Sequence, residues 1–186
     1  MATQHVNITE ADLHESKGVS TAVINSVYAA NGAGSGVWRQ AAQGSCYFEN
    51  IATPYTLVFG VAGTFYKLAP TTTASGTGVS VTEGTNARLT YTGTATLSFN
   101  CHTSISLSTA AGANRDVRLA IYKNGVKVNG SVAISTTSSA IKQTMSIACD
   151  VSMATNDYLE VYAANDGASG DILIHTCNLM MDPQDS

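Results

Sequence analysis

The sequence predicts an all-β fold, an antiparallel sandwich or barrel, and three observations predict it. From about residue 45 onward the apolar residues recur with a period of two rather than 3.6. The alternating stretches are short and are punctuated by Gly, Asn, Ser and Thr turns. No helical stretch lies between them, which is the pattern of a sandwich or barrel rather than of an α/β chain.

The opening of the chain differs, so residues 1–40 are set apart as an N-terminal arm and residues 41–186 as the folded domain. His5 to Gly18 mixes polar and charged residues with isolated apolar ones, Val6, Ile8 and Leu13. Val19 to Val27 fits a short helix capped by Ser20 or Thr21. Tyr28 to Trp38 reads as a strand followed by a glycine-rich turn. Such a segment buries no core of its own. Extended, it reaches on the order of 100 Å at ~3.3 Å per residue, the form of a docking tail that orders against its partner.

Within the domain, strands are expected at Tyr55–Val61, Thr64–Leu68, Arg88–Thr92, Val117–Tyr122, Val126–Ile134, Tyr158–Ala163 and Asp171–Leu179. The clearest is Leu97 to Ser108, where Leu97, Phe99, Cys101, Thr103, Ile105 and Leu107 take one face and serine, asparagine and histidine the other. The same alternation runs through Ile141, Gln143, Met145, Ile147, Cys149, Val151 and Met153. Asn124-Gly125 between two strands is a strong hairpin signal. The last strand puts apolar residues on both faces, and a strand apolar on both sides needs cover on both. Ile172, Ile174, Leu179 and Met181 are therefore expected at a subunit interface; the alternative is a central strand with a loop packed over it.

Charged residues are only 12% of the 186-residue chain, roughly half the usual share, so neighbours are expected to cover much of the surface. A net charge of -4 argues against nucleic-acid binding, which uses a basic stripe. No apolar run approaches the ~20 residues of a membrane-spanning helix, and no leader pattern opens the chain, so synthesis in a cytosol is expected. Cys46, Cys101, Cys149 and Cys177 make no C-x-x-C pair and are expected as reduced, small apolar side chains. The four histidines are scattered without ligand spacing, so no metal and no cofactor are expected. Gly32-Ala-Gly-Ser-Gly36 lacks the Lys-Ser/Thr ending of a phosphate loop. Asn165-Asp-Gly167 with Asp171 matches no calcium-loop spacing. No nucleophile elbow and no H-E-x-x-H occur, so the chain reads as a non-enzyme.

The stretch Tyr91 to Leu179 resembles the jelly roll shared by tumour necrosis factor and the globular heads of complement-type collagen-like proteins. The resemblance rests on Ser104-Ile-Ser-Leu-Ser108, Ile121-Tyr-Lys-Asn-Gly125 and Asn156-Asp-Tyr-Leu-Glu-Val-Tyr162. That family usually has Gly-Asp where Asn156-Asp157 stands; Asn also tolerates left-handed backbone. The resemblance implies an antiparallel two-sheet jelly-roll sandwich and a compact homotrimer. Leu13-His-Glu-Ser-Lys-Gly-Val-Ser20 and Val27-Tyr-Ala-Ala-Asn-Gly-Ala-Gly-Ser-Gly-Val-Trp38 resemble the opening of tailed-bacteriophage capsid decoration (cement) proteins, with Ser16 in place of a common Pro. This implies a virion protein made in a bacterial cytoplasm and bound to the outer capsid surface. Its partner is the major capsid protein of a phage shell, engaged through an arm anchored by Leu13, His14, Lys17, Val19 and Trp38. The alternative is a fibre or receptor-binding head that takes a host glycan or protein, with Tyr47, Phe48, Tyr55, Phe65 and Tyr66 as candidate aromatics.

Overall fold

A computed structural model describes residues 26–30, 36–40, 42–77, 81–84, 87–93, 95–112, 114–167 and 170–184. The chain divides into two units, residues 1–41 and 42–186. In the first, β1 (Ser26–Ala30) and β2 (Gly36–Gln40) form an antiparallel hairpin that places Tyr28 opposite Trp38. Ser26 and Val27 thus belong to a strand, not to the helix expected over Val19–Val27. Val and Tyr alternating with small residues favour extended backbone once a partner strand is present.

The second unit is built of β3 (Gln43–Glu49), β4 (Tyr55–Leu57), β5 (Tyr66–Lys67), β6 (Thr73–Thr77), β7 (Val81–Gly84), β8 (Arg88–Tyr91), β9 (Leu97–Thr109), β10 (Arg115–Lys123), β11 (Val126–Thr137), β12 (Gln143–Met153), β13 (Tyr158–Asn165) and β14 (Ile172–Pro183). One sheet has the order β12-β9-β14-β3-β6, with β4 also on β14. The other runs β11-β10-β13-β8-β7, with β5 also on β13. All pairings are antiparallel, and the chain crosses between the sheets at β4–β5, β5–β6, β6–β7, β8–β9, β9–β10, β11–β12, β12–β13 and β13–β14. This is a two-sheet jelly-roll sandwich, and no helix occurs among the described residues.

The expected strands Tyr55–Val61 and Thr64–Leu68 shrink to three and two residues. Gly60 and Gly63 interrupt them, and Gly63 takes a left-handed φ of 74°. Strands β3, β6 and β7 had no clear period-two signal, because Gly, Ser and Thr fill many of their positions. The Asn124-Gly125 hairpin is present, with φ of 51° and 76° at its two residues, the geometry of a type I′ turn. Asn156 takes a left-handed φ of 68°, the conformation for which Asn substitutes for Gly. Ile141 lies outside β12 in an isolated bridge and is exposed.

The core fills the space between the sheets. Phe99, Leu107, Leu119, Ile121, Leu159 and Ile174 are fully buried, and Tyr91 meets Phe99 edge-on with ring centroids 5.1 Å apart. Cys101 and Cys177 sit in this core. Burial, with a smaller contribution from neighbouring groups, pushes both thiols up to about 12, so neither supplies a thiolate at neutral pH. Ser131, also fully buried, sits where the β10–β11 register shifts. Its hydroxyl accepts from the Ile121 N–H, and its one proton is within reach of the Val128 carbonyl at 2.8 Å and the Ile121 carbonyl at 3.0 Å.

The final strand corrects the interface assignment made from the sequence. Ile172, Ile174, Leu179 and Met181 are each 0% exposed, so they have no surface to give a neighbouring subunit. The ladder between β14 and β9 slips between Ile174 and Thr176, leaving His175 as an extra residue. A bulge of one residue reverses the face that follows it. Ile172 and Ile174 before the slip, and Cys177, Leu179 and Met181 after it, therefore all point into the core. Leu173, Thr176, Asn178 and Met180 take the outward face.

One charge cluster sits on the outward side of the second sheet. Glu160, nearly buried, accepts from Lys67 Nζ at 2.5 Å and from Arg88 Nη2 at 2.6 Å. Tyr162 donates its hydroxyl to the same carboxylate at 3.2 Å. Burial by itself raises the Glu160 pKa, but the hydrogen bonds and charges of Lys67 and Arg88 together outweigh it and hold the group below its ordinary 4.5.

Two outcomes are expected. Phe99→Ala should cost about 3–5 kcal/mol in urea unfolding; a loss below 1 kcal/mol would mean the ring is not part of a packed core. Glu160 contributes stability fully above pH 4.5 and loses it as pH falls through its lower folded value, because the unfolded chain binds the proton first. Glu160→Gln should therefore lower the neutral-pH stability by about 1–3 kcal/mol and flatten the decline below pH 4.5. An unchanged acid limb in the variant would remove Glu160 as its source.

Candidate functional site

The outward face of the β12-β9-β14-β3 sheet is the surface that the fold sets apart. Alternation along each strand sends every second residue outward, and the registers align those residues into rows. Ser146, Ser104, Asn178 and Tyr47 make the middle row across four strands; Ala148, His102, Met180 and Ser45 make the row on one side; Thr144, Ser106, Thr176 and Glu49 make the row on the other. Among these twelve positions the carboxylate of Glu49, at a corner, is the one acidic group, and no Lys or Arg is present.

The rows are short and flat because serine, threonine and alanine dominate them. Asn178 organises the middle: its side-chain oxygen accepts from the Ser104 N–H at 2.8 Å, and its carbonyl accepts from the Thr103 hydroxyl at 2.7 Å. Two shallow depressions flank this pair. Tyr47, Glu49 and Thr176 border one, and His102, Ala148 and Met180 border the other. Tyr47 and Met180 are the large apolar side chains left partly open here, Met180 at 39% exposure.

A second surface lies along the side of the sandwich. Strand β11 is the outermost strand of its sheet and pairs with β10 alone among the described strands. It runs twelve residues and exposes Val126, Val132 and Ile134, the last at 65%. A long, β-branched edge with open N–H and C=O groups is a pairing or packing surface unless something covers it.

Catalytic chemistry finds little to work with among the described residues. Ser108 Oγ lies 3.0 Å from His175 Nε2, but both residues are buried and His175 Nδ1 has no partner among the described residues. Burial first, and the charge of Lys142 second, hold His175 below its ordinary pKa. No group of three or more His, Cys, Asp or Glu suited to a metal occurs among the described residues, and no helix there is long and apolar enough to cross a membrane.

Of the arm residues, Leu13, His14, Lys17 and Val19 lie outside the described residues, and Trp38 stands in β2. The candidate aromatics scatter. Tyr47 is on the charge-poor face, Phe48 and Tyr55 pack against the core, and Tyr66 meets Phe59 edge-on at 5.4 Å. Phe65 alone joins a cluster, with Tyr122 at 5.8 Å, and Tyr122 stacks on Tyr162 at 3.9 Å. The signal for this cluster was available: Ala120 and Tyr122, like Tyr158, Glu160 and Tyr162, are spaced by two and share an outward face. The charge-poor face itself was half visible, in the serines of Leu97–Ser108; its continuation onto β14 was hidden by the bulge.

No protein-family model matches this chain, and no curated protein matches it in sequence. Solved structures do match. The PRD1 vertex protein P5 is similar at 13% identity with a TM-score of 0.51, over 77% of this chain and 97% of that one. The Eiger TNF from S. frugiperda is similar at 8% identity with a TM-score of 0.51, over 79% of this chain and 96% of that one. At these identities the likeness is one of fold, the jelly roll.

Proposed function

We propose that this chain is a structural protein of a bacteriophage virion, a homotrimer that decorates and stabilises the outer capsid surface through its N-terminal arm. The observation that carries the reading is the outward face of the β12-β9-β14-β3 sheet, whose three rows hold a single charge, Glu49 at a corner. Its middle row carries no charge, so burying the centre of the face escapes the large desolvation cost of ions. Its serines, threonines and Asn178 supply hydrogen-bond partners that a neighbour can satisfy.

The exposed β11 edge is a different surface from this face. Two unlike surfaces meeting head to tail form a heterologous contact, and such contacts make a ring where the rotation between neighbours closes. A three-membered ring fits the jelly roll's resemblance to tumour necrosis factor. The likeness in fold to the PRD1 vertex protein P5 supports a virion location. An isolated two-stranded hairpin such as β1–β2 is at best marginally stable in water, which suits an arm that gains its stability on a shell. Three arms on one body act as linked sites, so weak single contacts sum to firm attachment.

Light scattering should give a mass three times the 19.3 kDa of one chain. Ser146→Arg, a charge set into the exposed middle row, should leave the sandwich folded and weaken self-association at least about a hundredfold. A monomeric parent, or a variant that still assembles as the parent does, removes the face as the contact. Deleting residues 1–36 should abolish co-sedimentation with undecorated capsids while the trimer persists; a truncated chain that still binds shells would overturn the role of the arm.

A further inference from the structure

The outward face of the other sheet has the opposite character. Phe65, Tyr122 and Tyr162 form a continuous aromatic strip across the β10 and β13 positions, and cations border it on every side. Arg118 lies 5.1 Å and Lys127 5.9 Å from the Phe65 ring centre, and Arg88 lies 4.1 Å from that of Tyr158. Lys67 pairs beside Tyr162 on the β5–β13 ladder. The side chains of Lys67, Arg88 and Arg118 keep 25%, 38% and 28% of their surface open to solvent, so the strip is reachable from outside.

The charges do not balance. Four cations, Lys67, Arg88, Arg118 and Lys127, stand against Glu160 and Asp166, with Asp116 at the far end of β10. Arg118 holds Asp166 at 2.5 Å and Glu160 is shared by Lys67 and Arg88. Lys127 has no carboxylate partner among the described residues. A chain of net charge -4 thus gathers a small positive excess on one aromatic surface.

We propose that this strip binds an anionic saccharide, a sugar polymer bearing carboxylate or phosphate groups. Aromatic faces and edges give apolar contact to the C–H surfaces of sugar rings. Tyrosine hydroxyls and arginine N–H groups reach ring hydroxyls, and the surplus cations meet the acidic substituent. The excess of one or two charges matches a ligand with widely spaced acidic groups. It is too sparse for a nucleic acid, whose duplex carries a charge every ~1.7 Å. This inference does not depend on capsid decoration, since the strip lies on the sheet opposite the charge-poor face.

The full chain is tested by affinity electrophoresis and calorimetry against polygalacturonate, a glycerol-phosphate polymer, neutral dextran and a thirty-residue oligothymidylate. Retardation by one or both of the two acidic polymers, weakening as salt rises, with none by dextran, is expected; which acidic polymer binds identifies the substituent. Lys127→Gln and Tyr122→Ala should each weaken binding about tenfold with the light-scattering mass unchanged. Circular dichroism melting checks that Tyr122→Ala folds, and the exposed Lys127 carries the test if it does not. Failure of both acidic polymers to bind, binding indifferent to both substitutions, or tighter binding to the oligothymidylate than to any polysaccharide overturns the proposal.

Discussion

The single extra residue at His175 decides how the sandwich closes. Strand β14 lies between β9 and β3, bonded on both sides, so any error in its facing would propagate into two neighbouring ladders. Strict alternation from Ile172 onward would turn Leu179 and Met181 to the outside. The bulge returns them to the core at the cost of one awkward site. There His175 contacts Ser108 through one ring nitrogen and leaves the other without a partner among the described residues. A neutral imidazole, favoured by burial, is the least costly form to hold there.

With β14 set in this way, four strands of that sheet present mostly short polar and apolar groups along three rows, with Glu49 the one carboxylate. The scarcity of charge there and the sparse charge of the whole chain are one fact seen twice. The opposite sheet concentrates ions instead, around a Glu160 that is shielded enough to need two cations and a phenol. A sandwich with one nearly neutral face and one ionic, aromatic face has two chemically distinct outlooks. Neutral surface is cheap to cover with protein, whereas paired ions and exposed rings are better kept toward solvent and its solutes.

The β11 edge adds the third feature. Natural sheets blunt long open edges with charge, proline or a bulge; β11 has Lys127 and the register shift at Ser131 near its start, yet exposes Val132 and Ile134 beyond them. Its open N–H and C=O groups make it a surface against which another strand can pair.

Local chemistry made much of this fold legible. Period-two alternation located β9 and β12 to within a few residues, because each has one face in water and one in the core. Asn124-Gly125 and Asn156 announced left-handed turns because few other residues tolerate that backbone. The strands rich in Gly, Ser and Thr stayed silent, since small residues carry no facing signal. What the sequence by itself determined is the class of fold, the turns and the lack of charge, each a property of residues and their immediate neighbours. Which face Ile172, Ile174, Leu179 and Met181 occupy, and which rings gather beside Arg118, only the tertiary structure decided. A bulge and a cross-strand register depend on partners more than fifty residues away, and no local pattern encodes them.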